Sequence, residues 1–100
     1  MSPPFFCITS TQEDLSLVCS AEGVPSGVRR EGPWRVFQLE GPIPFTMTGV
    51  LASVLNPLAE NRVGILALST FDTDYVLVHA GDAAMAVSVL QKAGHEIIEL

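Results

Sequence analysis

From Trp34 to the C-terminus the apolar residues change period in a fixed order, and few folds accommodate that order. Trp34-Arg35-Val36-Phe37-Gln38-Leu39-Glu40 reads as a strand and is stopped by Gly41-Pro42. After the loop from Pro42 to Thr46, Leu51, Val54, Leu55 and Leu58 fall at i, i+3, i+4 and i+7, the spacing of one helical face. Thr46 or Thr48 is placed to cap that helix, which runs to about Asn61. Val63 to Ser69 is a nearly continuous apolar run, as in a strand buried on at least one face. A turn at Phe71-Asp72-Thr73 leads to a returning strand, Asp74 to His79. Asp82 then opens a second helix with Ala83, Ala86, Val87, Leu90 and Ala93 on one stripe and Gly94 at its end. His95 to Leu100 reads as a last strand. The sum is β-α-β-β-α-β, an α+β ferredoxin-like arrangement with two helices on one face of an antiparallel sheet.

Before Trp34 the pattern differs. Phe5 to Ser10 and Leu15 to Ser20 are short apolar runs separated by Thr11-Gln12-Glu13-Asp14, which predicts a β-hairpin. Ala21 to Pro33 is rich in Gly, Pro and charge without periodicity, so it reads as a connector with room for one helical turn. It is also where a boundary falls, dividing the chain into 1–33 and 34–100. Cys7 and Cys19 lie on the two hairpin strands, where a disulfide is geometrically conceivable; two buried thiols are the expected state in a reducing compartment.

Charge narrows the partners. Five Lys plus Arg stand against eleven Asp plus Glu, a net charge of −6, and the one basic pair is Arg29-Arg30. Nucleic acid and anionic membrane both require clustered positive charge, so neither is an expected partner. Apolar residues make up 48% of the 100 residues and charged ones 16%, which excludes disorder and leaves apolar surface for another subunit. No stretch approaches a membrane span, and Met1 to Ser10 has no basic n-region, so a cytoplasmic location is expected.

No catalytic or metal constellation emerges. His79 and His95 have neither a nucleophile beside them nor an i, i+4 partner, and Gly41 and Gly49 are too far apart for a phosphate loop. Asp72 and Asp74 read as turn formers before they read as an acid/base pair. Pro57 is more informative. It lies within the helical stripe and cannot donate to the carbonyl of Ser53. That carbonyl is then satisfied by water or a side chain, or it receives the ammonium of a ligand. The helix start at Thr46 to Val50 offers the complement, amides and a positive dipole end that suit a carboxylate, with Gly49 allowing close approach.

Two stretches carry a resemblance. Asn56-Pro57-Leu58-Ala59-Glu60 and Ile65 to Val78, with LSTFDTDYVLV at its centre, resemble a family of small bacterial ACT-domain proteins and the eukaryotic cytosolic arginine sensors. FFCITSTQEDLSLVC and the EGP…F…TGVLAS segment fit the same bacterial family, so the resemblance covers nearly the whole chain. It implies a complete ACT domain at 34–100, preceded at 1–33 by the hairpin of an abbreviated first ACT unit whose opening strand and helix are absent. It also implies a non-catalytic sensor of a free amino acid, without cofactor or metal, acting as a homodimer or higher oligomer. The alternative is a structural ACT-like dimerisation domain without ligand. By the same resemblance the ligand-binding positions are Val50, Ser53, Val54, Thr70, Phe71 and Asp74, joined by Thr48 and Gly49 at the helix start. There Asp74 pairs with a cationic group and Phe71 walls the pocket.

Overall fold

The computed structural model describes residues 5–98, and its contacts divide the chain between Gly32 and Pro33 into two compact units. The first holds a hairpin of β1 (Cys7–Ser10) and β2 (Leu15–Val18), antiparallel with Ile8 opposite Leu17 and Thr9 opposite Ser16. Its turn is closed by Thr11, whose amide donates to the Asp14 carbonyl at 2.9 Å. The Thr11 hydroxyl accepts from the amides of Glu13 and Asp14 at 3.2 and 3.1 Å. A hydroxyl thus does within one turn what a longer ladder would otherwise do. A single 3₁₀ turn, Ala21–Gly23, follows. Cys7 and Cys19 are free thiols and half-buried rather than buried. The register sets Val18 opposite Cys7, so Cys19, one residue further, belongs to the other face of the hairpin.

The second unit consists of β3 (Trp34–Gln38), α1 (Val50–Glu60), β4 (Ile65–Ser69), β5 (Asp74–His79) and α2 (Ala83–Lys92). The sheet order is β3-β5-β4, antiparallel throughout, with Val36 and Leu66 both opposite Leu77. β5 is therefore the central strand, and both faces of it are apolar. Val76 and Val78 on one face are fully buried and pack with Val54 and Leu58 of α1, Val63, and Ala86 and Leu90 of α2. Leu77, on the opposite face, is also buried, and at the strand end the Trp34 and His79 rings stack at 4.2 Å. The helical stripes read from the sequence supply most of this core, but Ala93 is exposed, Val87 is only half-buried, and Val89 packs against the core instead.

Both helices end in the same device. After α1, Arg62 takes φ 60°, its amide donates to Ala59 and the Val63 amide donates to Leu58 at 2.9 Å. After α2, Gly94 takes φ 100°, its amide donates to Gln91 and the His95 amide donates to Leu90 at 3.0 Å. These are Schellman closures, which satisfy the last carbonyls of a helix and turn the chain sharply. Turned in this way, residues 95–98 do not form the expected strand His95–Leu100; residues 99 and 100 lie outside the described residues. No helix among the described residues is long and apolar enough to cross a membrane.

The helix starts depart from expectation. Neither Thr46 nor Thr48 caps α1: its N-cap position is Gly49, at φ 81°, with no side-chain capping bond. A left-handed residue there suits glycine, and glycine has no oxygen with which to cap. Asp82 does stand at the N-cap of α2, but its side chain makes no capping bond.

Candidate functional site

The site is built where the start of α1 meets the turn between β4 and β5. That turn holds itself. The Thr70 amide donates to the Thr73 carbonyl at 2.9 Å, and the Thr70 hydroxyl accepts from the amides of Asp72 and Thr73, each at 3.3 Å. The role expected of the aspartates as turn formers therefore belongs to Thr70. Thr73 is buried, and its hydroxyl donates to the Leu39 carbonyl at 2.8 Å, tying the turn to the end of β3. The Ile43 amide donates to the Asp72 carbonyl at 2.7 Å, which brings the 41–49 loop alongside. Gly41 permits that approach, since a Cβ there would lie 2.9 Å from the Cβ of Thr73.

Loop, turn and helix start together line an open cavity of about 190 Å³. The loop contributes Ile43, Pro44, Phe45 and Met47, the helix Gly49 to Ala52, and the turn and β5 Thr70, Phe71, Thr73 and Asp74. Of the eight positions singled out in the sequence, five line it: Gly49, Val50, Thr70, Phe71 and Asp74. Phe45 and Phe71 meet edge to face at 5.5 Å across its mouth, and both are largely exposed. Thr48 lies outside the lining, and Val54 belongs to the buried core.

Ser53 belongs to neither group. Its carbonyl, left without an amide by Pro57, lies 2.8 Å from Nε2 of His95. A carbonyl only accepts, so Nε2 carries the proton and the imidazole donates. Of the two readings of that carbonyl, a side-chain partner or a ligand ammonium, the first is the one present: a side chain just beyond α2 satisfies it. The Ser53 hydroxyl is also engaged, donating to the Val50 carbonyl at 2.6 Å.

The cavity has two electrical poles. The amides of Val50, Leu51 and Ala52 precede the first helical bond, which runs from the Ser53 amide to the Gly49 carbonyl at 3.0 Å. No side chain caps them, and the positive end of the helix dipole lies at the cavity wall formed by Gly49 to Ala52. Asp74 is the charged side chain among the described lining residues, and Ser69 donates its hydroxyl to Oδ1 at 2.5 Å. The rest of the wall is aliphatic, aromatic or hydroxyl-bearing. Among the described residues no three metal-ligating side chains cluster.

Sequence reasoning missed Ser69, the four loop residues, and Leu51, Ala52 and Thr73 of the lining. Ser69 and Asp74 face each other only because β4 and β5 pair in that register. The loop did carry a signal, since Ile43-Pro44-Phe45 places large apolar side chains in a segment too proline-rich to bury them in a helix or strand.

Comparison with known proteins agrees with this architecture. A family model described as ACT domain matches residues 29–92. The cytosolic arginine sensor for mTORC1 subunit 1 of Bos taurus is 33% identical over 99 residues, covering 88% of this chain and 30% of the relative. The human protein of that name is 33% identical over 97 residues, with 86% and 30% covered. The chain thus spans under a third of the length of these curated relatives. An X-ray structure of an Agobacterium tumefaciens protein superposes with a TM-score of 0.89 at 38% identity, covering 98% of this chain and 73% of that one. A Vibrio cholerae protein of unknown function, 20% identical, shares the fold with a TM-score of 0.73 over 89% of this chain and 69% of its own. With its family model matched across both helices and all three strands of the second unit, this chain belongs to the ACT domain family.

Proposed function

We propose that this protein is a non-catalytic regulatory domain that binds a free amino acid in the cavity between α1 and the β4–β5 turn. The observation that carries this reading is the pairing of an uncapped helix start with a single carboxylate across one small cavity. A zwitterion needs an anion site and a cation site, and the cavity offers one of each. Its carboxylate is assigned to the amides of Val50 to Ala52, and its ammonium to Asp74, because His95 already holds the Ser53 carbonyl. Phe71 and Phe45 stand where a side chain would leave the cavity, and their faces suit an aliphatic or cationic one. The volume of about 190 Å³ is below that of pockets for drug-sized ligands, which favours a ligand of amino-acid size. Relatives named for arginine sensing in the cytosol support both the ligand class and a cytoplasmic location.

Self-association is part of the proposal. Phe45, Met47 and Phe71 are more than half exposed at the mouth of the cavity, and a second ACT unit would cover them. The same exposure favours the second reading, a structural dimerisation domain without ligand. Thermal shift and calorimetry with each of the common amino acids separate the two. A ligand that binds only the folded state raises its melting temperature. A folded protein that shows neither shift nor heat with any amino acid at millimolar concentration is a dimerisation domain.

A further inference from the structure

Which side chain the cavity takes depends on which of its own polar groups are still free. The hydroxyls in and beside its wall are spent within the protein. Thr73 donates to the Leu39 carbonyl at 2.8 Å. Thr70 donates to the Thr73 carbonyl at 3.3 Å and accepts from the amides of Asp72 and Thr73. Ser69 donates to Oδ1 of Asp74. Asp74 is the charged side chain among the described lining residues, and in the reading above it holds the α-ammonium. What remains is apolar: Ile43, Pro44, Phe45 and Met47 on the loop, Leu51 on α1 and Phe71 on the turn. The loop is held in place to present them. The Ile43 amide donates to the Asp72 carbonyl at 2.7 Å, and the Met47 amide closes a turn onto the Pro44 carbonyl at 2.9 Å.

We infer that the loop from Ile43 to Met47 is the specificity element of this cavity, and that it selects an amino acid with an aliphatic side chain the size of valine or leucine. The inference rests on the amino-acid reading above and deepens it. A polar side chain loses water on entering and finds every hydroxyl of the wall already engaged, which weakens it against an aliphatic one of the same shape. An acidic side chain meets Asp74 and a protein of net charge −6. A cationic side chain needs a second carboxylate, since the first is committed to the ammonium, and the described lining residues supply none. The aromatic rings are poor substitutes. Phe45 and Phe71 meet edge to face at 5.5 Å, so the rim of one ring already occupies a π-face of the other. An aliphatic chain requires no such partner. Phe45, Met47 and Phe71 are 76, 57 and 83% exposed, and covering part of that apolar area is what stabilises the bound side chain. Glycine and alanine bring too little apolar surface of their own to draw on it.

Calorimetry on the full chain with the common amino acids reads the selection. Leucine should bind about tenfold tighter than alanine, each methylene buried being worth up to about fourfold. Valine should bind at least about fivefold tighter than threonine, which has the same shape with a hydroxyl in place of a methyl. Phe45→Ala and Met47→Ala, both at exposed positions, should each lower the leucine-to-alanine ratio to about threefold or less. The ratio is taken within one variant, so a loss common to every ligand cancels. Met85→Ala, on α2 and outside the lining, should leave the ratio unchanged. Arginine, glutamate or threonine binding tighter than leucine overturns the aliphatic selection while the amino-acid site stands. A ratio that survives both loop substitutions overturns the loop as its source. A folded chain that binds no common amino acid removes the site itself, and the selection with it.

Discussion

The hairpin and the unit that follows it are written in the same alphabet of short apolar strands, and they solve the problem of burial differently. In the second unit each apolar stripe has an opposing layer: Val76 and Val78 of the central strand meet Val54, Leu58, Ala86 and Leu90 of the two helices. In the hairpin the large apolar side chains Phe6, Ile8, Leu15 and Leu17 are more than half exposed. Alternation decides which residues share a face, but only a second layer converts that face into a core. The second unit is thus the one whose stability is set by packing between layers, and the hairpin the one held by its backbone ladder and turn.

The largest test of that contrast is a pair of truncations. Leu58 is fully buried at the centre of the helix layer, and Leu58→Ala should cost about 2–5 kcal/mol, enough to shift a urea transition by more than a molar in a domain of this size. Leu15→Ala, at 72% exposure, should stay within about 0.5 kcal/mol when measured at a concentration where the chain is monomeric. Equal costs would mean that the hairpin face is covered within a single chain, and the contrast would collapse.

Next in size is the effect at the site, which lies wholly in the packed unit. Asp74→Asn removes the charge but keeps a similar shape, and it should weaken amino-acid binding by about 1.5–3 kcal/mol, the scale of a charged hydrogen bond. Calorimetry with basic and neutral amino acids sharpens the assignment. If Asp74 receives the α-ammonium, both classes lose affinity alike. A loss confined to arginine and lysine would move Asp74 to the ligand's side chain instead. The hairpin lies outside the cavity lining, so Leu17→Thr should leave affinity unchanged at fixed oligomeric state.

How far the sequence could be read follows from the range of the forces involved. The helical stripes, the exact span Asp74–His79 and the hairpin turn depend on neighbours a few residues apart, and they were legible. The start of α1 was misread because two threonines offered a hydroxyl cap, while the loop bound to the Asp72 carbonyl delivers the chain through a left-handed Gly49. The partner of the Ser53 carbonyl lies 42 residues away, at a point fixed only when α2 has ended and turned. Five of the twelve lining residues were legible for the same reason: Gly49, Val50, Thr70, Phe71 and Asp74 sit in recognisable local motifs. The Ile43 to Met47 wall depends on how a proline-rich loop lies against Thr73.

A smaller effect tests how the packed unit joins its two helices. His95→Ala removes the donor to the Ser53 carbonyl and should cost about 1 kcal/mol, the usual net value for such a bond. Pro57→Ala restores an amide at the position from which a helix would satisfy that carbonyl. The cost of His95→Ala should therefore fall clearly in the Pro57→Ala background, and a double-mutant cycle in urea isolates the difference. Additive costs would show that the imidazole contributes by packing alone. No counterpart of this bond was needed in the hairpin, where the backbone ladder and Thr11 satisfy the turn locally.

The smallest expected effect concerns Arg62, which closes α1 with the same pair of bonds that Gly94 closes α2 but at φ 60° with a side chain attached. A left-handed residue bearing a Cβ is strained by about 1–2 kcal/mol, which Arg62→Gly relieves. Against this, glycine loses more backbone freedom on folding, by roughly 0.5–1 kcal/mol. The two nearly cancel, and the net should be a gain of a few tenths of a kcal/mol. The strain is tolerated because the residue after it, Val63, is drawn into the core beside Leu58, so that burial holds the turn closed. Val63→Ala should therefore lower the benefit of Arg62→Gly, since a turn freed from its anchor sheds the strain by opening. Thermal denaturation of the four combinations reads this directly. A benefit of Arg62→Gly that is unchanged by Val63→Ala would separate the closure from the core and leave the backbone bonds alone to hold it.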